Sequence, residues 1–125
     1  IMFETTTFPI SEVVREGYGQ YFSEFITTFG LVMIIHILVY QKSDYIPFAV
    51  GTYIFAAITY SSSTAFANPA VAIGRIFSNA NASIDPQSAF IFCVIQVFAA
   101  LFAYAFCKIL LSEKKVKKIN KRKIK

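Results

Sequence analysis

Charge is scarce in this sequence. Only 15% of its 125 residues are Asp, Glu, Lys or Arg, against roughly 25% in ordinary soluble domains. Hydrophobic residues make up 56% of the chain. A soluble fold of this size buries only about two thirds of the chain's surface, so it would leave many of the 14 Phe and 7 Tyr in water. A bilayer removes that difficulty. Histidine and cysteine are almost missing too. One His and two Cys leave no ligand cluster with metal spacing. Cys93 and Cys107 fall in one apolar helix about 21 Å apart, too far to bridge. There is no nucleophile beside a base, no pair of carboxylates and no phosphate loop, so neither an enzyme nor a cofactor is expected. Residues 1–20 are polar and acidic, without the basic start and apolar core of a signal peptide.

What charge there is sits unevenly. Residues 1–107 carry three basic side chains (Arg15, Lys42, Arg75) and six acidic ones, while residues 108–125 carry nine basic and one acidic. The basic block follows a long apolar run instead of interleaving with aromatics, so nucleic acid is not an expected partner. It reads as the flank of a membrane span. The tail, 112–125, is a positive-inside signal, with a specific anionic-lipid site as the alternative. This puts the C-terminus in the cytoplasm and the acidic segment 1–20 outside.

Three apolar runs are expected to be helices of a membrane domain over 21–111. Phe22–Tyr40 spans about 28 Å, close to the hydrocarbon thickness. A second run, 45–60, follows a polar break in which Ser43 or Asp44 could cap, with Pro47 in the first turn. Its small residues Gly51, Ala56 and Ala57 are expected to pack against partner helices. The third run, 86–111, opens on Asp85-Pro86, a helix-start signal, carries Ala99, Ala100 and Ala103 at small-residue spacing, and has Gln96 as its strongly polar interior residue.

Between the second and third runs lies Ser61–Phe77, too apolar for a soluble loop and too short after Asn68 to cross. Asn68 before Pro69 is an N-cap with proline at the first helical position, so 69–77 is predicted to be a short helix. Joined to a span by Ser/Thr-rich extended backbone, it has the form of a re-entrant half-helix. Irregular backbone at membrane depth is tolerated only when buried in protein or lining a wet cavity. Its N-terminus would bring N–H groups and a positive dipole end to the interior, which repels cations and orients polar solutes.

On these residues the chain resembles the C-terminal half of a major intrinsic protein, the aquaporin and glycerol-facilitator family. Asn68-Pro69-Ala70 stands as the second Asn-Pro-Ala box, and Glu24 with Thr28-Phe29 resembles the acidic residue and Thr-Phe pair that open the first helix of each half. The stretch Ser62–Val71 is closest to a bacterial branch whose box continues with valine. The resemblance implies an all-α integral membrane fold, three transmembrane helices plus one re-entrant half-helix, forming half of an inverted repeat. It implies an N-terminal half as partner, a homotetramer of complete units, and passive transport of water and small neutral solutes. Six spans, two half-helices and their loops need over about 200 residues, so the chain is expected to be a fragment or one member of a split pair. Abundant Ile, Lys, Phe and Asn suggests an AT-rich bacterial genome and hence a bacterial inner membrane.

The resemblance also assigns the site. Asn68 would donate its side-chain amide to the solute; the plainer role is that it only caps the half-helix. The narrow filter normally has arginine three residues after the box asparagine, where this sequence has Val71. The other filter positions of this half are Ala56 and Ala65. Small residues without a guanidinium favour a wider pore passing glycerol or metalloid acids. Arg75, one turn beyond Val71, is a candidate displaced charge; alternatively it snorkels to headgroups or caps the short helix. Glu24 would accept hydrogen bonds from the loop backbone ahead of the half-helix. His36 is either a proton-sensitive gate or a packed, hydrogen-bonded side chain. Asn81-Ala82-Ser83 fits a glycosylation acceptor, a tripeptide usually left unused. Two rival readings remain: a non-conducting truncated remnant, and a three-span anchoring or assembly protein using its basic tail on anionic lipid.

Overall fold

A computed structural model describes residues 9–78 and 80–123, with 113–123 as helical backbone alone. Four helices follow one another: α1 (Tyr18–Tyr40), α2 (Ile46–Tyr60), α3 (Pro69–Arg75) and α4 (Pro86–Lys123). The described residues hold no strand. Helix α1 packs on α2 and on α4, and α4 also packs on α3. The spatial order is therefore α2, α1, α4, α3.

Two of these helices are long and apolar enough to cross a bilayer. Tyr18–Tyr40 has a mean hydropathy of 1.9 and Pro86–Ser112 one of 2.4 over their most apolar stretches. Helix α2 has 15 residues and rises about 22 Å, short of the ~30 Å hydrocarbon core.

Helix ends differ from the apolar runs for local reasons. Helix α1 begins at Tyr18, four residues ahead of the run, because Gly17 takes φ 113° and its carbonyl accepts from Gln20 and Tyr21 at 3.0 and 3.1 Å. That left-handed turn suits glycine. Neither Ser43 nor Asp44 caps α2: the N-cap is Tyr45, with no side-chain cap, and Ser43 Oγ accepts from the Tyr45 N–H instead. Helix α3 stops at Arg75, two residues short of Phe77, where Ile76 and Phe77 close tighter turns onto Ile73 and Gly74. Helix α4 runs on to Lys123, well past the apolar run that ends at Leu111, since lysine is itself a good helix former.

The α1–α4 seam shows why these helices pair. Phe92, Gln96, Ala99, Ala103 and Cys107 are all fully buried on α4, at steps of three and four that form one stripe. Ala100 lies off the stripe and is only half-buried. Small residues let α1 approach, and rings flank the seam: Phe25 meets Phe102 at 6.1 Å and Phe29 meets Phe106 at 5.9 Å between centroids. Cys93 and Cys107 are both free thiols.

Helix α2 turns differently from its small-residue pattern. Ala57 is buried, but Gly51 and Ala56 lie open. The contact with α1 is made by Tyr53, whose hydroxyl donates to the Thr27 carbonyl at 3.0 Å across Gly30. A methyl group on Gly30 would run into the Tyr53 hydroxyl and stand 2.9 Å from Cζ.

The segment ahead of α1 is strapped across the α3–α4 end of the molecule. Ser11 N–H donates to Ile76 O at 2.8 Å, Asp85 N–H to Val13 O at 2.9 Å, and Arg15 N–H to Ser88 Oγ at 3.1 Å. Ser11 and Arg15 are both buried by this. Elsewhere the surface is apolar. Phe48, Phe55, Phe90, Phe98, Phe102 and Leu101 each expose more than half their area, the composition of a chain whose outer faces meet lipid or other helices rather than water.

Candidate functional site

The chain between α2 and α3 is held in a conformation it would not adopt alone. Thr64, Ala65 and Ala67 have φ of 61°, 46° and 49°. Each such non-glycine residue costs on the order of 1–3 kcal/mol and persists only when its surroundings over-determine it. Those surroundings are explicit. Glu24, fully buried on α1, accepts the Phe66 N–H at Oε1 (2.8 Å) and the Ala67 N–H at Oε2 (3.0 Å). Gln96 Nε2, from α4, donates to Oε2 at 2.7 Å. A buried carboxylate needs several donors to offset its lost hydration, and here it receives three. Ser63 Oγ takes the Ala65 N–H at 3.3 Å, and Ser62 Oγ donates to Gly19 O at 3.0 Å.

This bracing delivers Asn68. Its backbone is extended (φ −158°, ψ 125°), its Oδ1 accepts the Ala70 N–H at 2.9 Å, and its carbonyl accepts from Ala72. Among the described residues no acceptor meets the Asn68 side-chain NH2, and the residue is exposed. Capping uses the oxygen and leaves the two amide hydrogens for another acceptor. Pro69 and Ala70 form the first turn of α3, half-buried and exposed respectively.

The three small positions differ in surroundings. Ala56 is exposed on α2, Ala65 is buried at 4% exposure, and Val71 packs half-buried against the cluster of Phe66, Ala72, Ile84, Ala89 and Phe92. Arg75 turns toward the α3–α4 loop. Its guanidinium stands 4.3 Å from the Phe66 ring centroid and donates to Ala82 O at 3.3 Å. In Asn81-Ala82-Ser83 the asparagine is exposed and the serine fully buried, where the Ser11 hydroxyl donates to Ser83 Oγ at 2.7 Å.

Sequence reasoning passed over Arg15. At 6% exposure, its Nε donates to Ser83 O (2.7 Å), Nη2 to Asn81 O (2.8 Å) and Nη1 to Ser63 O (3.4 Å). The guanidinium also stands 5.2 Å from the Phe66 ring centroid. Burial first, then the charge of Arg75, holds it below its ordinary pKa, while Glu24 acts the other way; an arginine stays cationic regardless. The only available signal was an isolated charge in a segment of few cations.

At the opposite end, His36 meets Tyr104 edge-on at 5.5 Å. Together with Tyr40, Lys108, Leu111 and Ser112 these two line a cavity of about 250 Å³. Among the described residues no three of His, Cys, Asp and Glu gather where a metal could sit.

Comparison with known proteins gives one relationship. The chain is 37% identical over 111 residues to the aquaglyceroporin AqpS of Rhizobium meliloti (strain 1021), covering 89% of this chain and 48% of that protein. The chain thus spans about half the length of the curated relative it matches. No family model matches the sequence, and no solved structure does.

Proposed function

We propose that this chain, similar over 111 residues to an aquaglyceroporin of which it covers 48%, is the C-terminal half of a major intrinsic protein and forms half of a channel for passive movement of water and small neutral solutes. Glycerol and metalloid acids are the solutes this reading favours. Helices α1 and α4 cross the bacterial inner membrane, the shorter α2 crosses it together with the turns at its two ends, α3 re-enters from the outer side, and the basic tail lies in the cytoplasm. An N-terminal half contributes the second half-helix and the fourth filter residue, and complete units assemble as homotetramers.

The observation that carries this reading is the Glu24-braced segment that brings Asn68 to the start of α3. Strained backbone with its N–H groups tied back on one side is costly, and it is kept where a site needs it. Here it leaves the Asn68 amide hydrogens without an internal acceptor at the positive end of a short helix. Donors of that kind orient a polar solute as it passes. Small side chains at Ala56 and Val71, with Ala65 buried in the braced segment, leave the opening wide. A wide opening without a filter guanidinium favours uncharged solutes larger than water.

The test is uptake into vesicles containing this chain together with an N-terminal half. Passage of glycerol alongside water supports the reading. Intact, correctly inserted protein with no uptake of either identifies a non-conducting remnant, and insertion without dependence on a second half favours an anchoring protein.

A further inference from the structure

The geometry points to Arg15 as a positioning residue of the pore: from the segment ahead of α1, its guanidinium holds the strained Ser61–Asn68 backbone in register with the α3–α4 loop and thereby sets which solutes pass. This rests on the channel reading above. It adds a residue that lies outside both the Asn-Pro-Ala box and the filter positions.

Three observations carry it. The fork of Arg15 joins carbonyls from two separate loops, Ser63 on one side and Asn81 and Ser83 on the other. Arginine suits this because its donors leave a rigid plane in several directions, which an ammonium cannot copy. Second, the residue it grips, Ser63, lies directly before the left-handed pair Thr64 and Ala65, and its hydroxyl takes the Ala65 N–H. Glu24 fixes this segment only at Phe66 and Ala67. At its other end Ser62 Oγ donates to Gly19 O and Ser63 Oγ to Ser23 Oγ, which tie it to α1, and Arg15 supplies the hold toward the α3–α4 loop. Third, Phe66 is buried at 2% exposure with both guanidiniums over its ring, Arg15 at 5.2 Å and Arg75 at 4.3 Å from the centroid. The ring packs on Phe92 at 5.6 Å between centroids, so the whole assembly is tied to α4. Arg75 donates to Ala82 O at 3.3 Å, a contact as long as that of Arg15 to Ser63 O at 3.4 Å, but it reaches no carbonyl of the 61–68 segment.

The experiment compares Arg15→Lys and Arg15→Gln with the unaltered chain, each completed by an N-terminal half in vesicles, reading glycerol uptake relative to water uptake. Loss of folded channels lowers both fluxes in proportion and leaves their ratio alone; a displaced segment changes the ratio. A bond to a charged group is worth about a tenfold shift in the population of the held state. Both variants are expected to move the ratio several-fold, with lysine failing to rescue because charge without the fork is insufficient. Amide hydrogen exchange on the same complexes is the second measurement. Faster exchange at Thr64 and Ala65, with α1 and α4 unchanged, is expected for both variants. An unchanged ratio together with unchanged exchange at those amides overturns the assignment, as does full rescue by lysine. If the unaltered complex conducts nothing, the channel reading fails by itself, and the exchange data still decide whether Arg15 holds the segment.

Discussion

At the scale of single residues, the site depends on acceptors that cannot be replaced by similar shapes. Glu24 meets two backbone N–H groups with two different oxygens and a side-chain NH2 with one of them. Glu24→Gln keeps the volume but offers one oxygen, and its own NH2 faces the donors. At least one buried N–H loses its partner, at about 1–3 kcal/mol. The expected outcome is a lower thermal midpoint and reduced uptake of every solute, read by scanning unfolding and vesicle flux. Val71→Arg acts in the other direction. A long guanidinium replacing a half-buried valine narrows the opening, so glycerol uptake should fall more than water uptake. Equal loss of both would show that the side chain disrupts the Phe66 cluster rather than the aperture.

At the scale of elements, two contacts can be tested independently of transport. Helix α4 begins under an Asp85 cap, with Oδ2 accepting from Gln87 and Ser88 at 2.9 and 3.1 Å. Burial pushes this carboxyl up, but the hydrogen bonds from Ser88 and Gln87 outweigh it, so it titrates below its ordinary value. A carboxyl depressed in the folded state stabilises above its unfolded pKa, about 3.9, and loses that contribution as pH falls through the folded value. Unfolding followed from pH 6 to pH 2 should show an acid-side loss of stability that Asp85→Asn lacks. The α1–α2 contact rests on Gly30, where a methyl group would run into Tyr53. Gly30→Ala should displace that ring and cost about 1–3 kcal/mol as overpacking, partly recovered in Gly30→Ala/Tyr53→Phe, since removing the hydroxyl makes room. Thermal midpoints of the single and double variants measure it.

At the scale of the whole molecule, the proposed orientation rests on charge. Nine basic residues stand in 108–125, and positive flanks stay in the cytoplasm. Ser83 is buried and unsuitable for a probe. Single cysteines at Gln87 and Ser112, both exposed, placed in a chain with Cys93 and Cys107 replaced, should be labelled by an impermeant reagent from outside at 87 and not at 112. The opposite pattern would reverse the orientation. The same scale explains the apolar exterior. Faces such as those carrying Phe48 and Phe55 on α2 or Phe98 and Phe102 on α4 find nothing among the described residues to cover them, and a bilayer or further helices do so without cost.

By itself the sequence determined what depends on neighbours a few positions apart. Apolar runs of sufficient length dictated α1 and α4; Asn68-Pro69 and Asp85-Pro86 carried the chemistry of helix starts; low charge and a basic tail pointed to a membrane. Such features are local, so periodicity and capping rules reach them. Run boundaries misled where helix continues into polar residues, at Tyr18–Tyr21 and beyond Leu111, because hydropathy marks lipid contact and not hydrogen bonding. Only the tertiary structure decided the rest. That Arg15 grips carbonyls 48, 66 and 68 residues away, that Gln96 finds Glu24 72 residues away, that Ser83 is sealed under Ser11, and that α2 turns Tyr53 rather than Gly51 toward α1 are all choices among partners. Each depends on which faces meet once the helices pack, and no spacing within the chain encodes it.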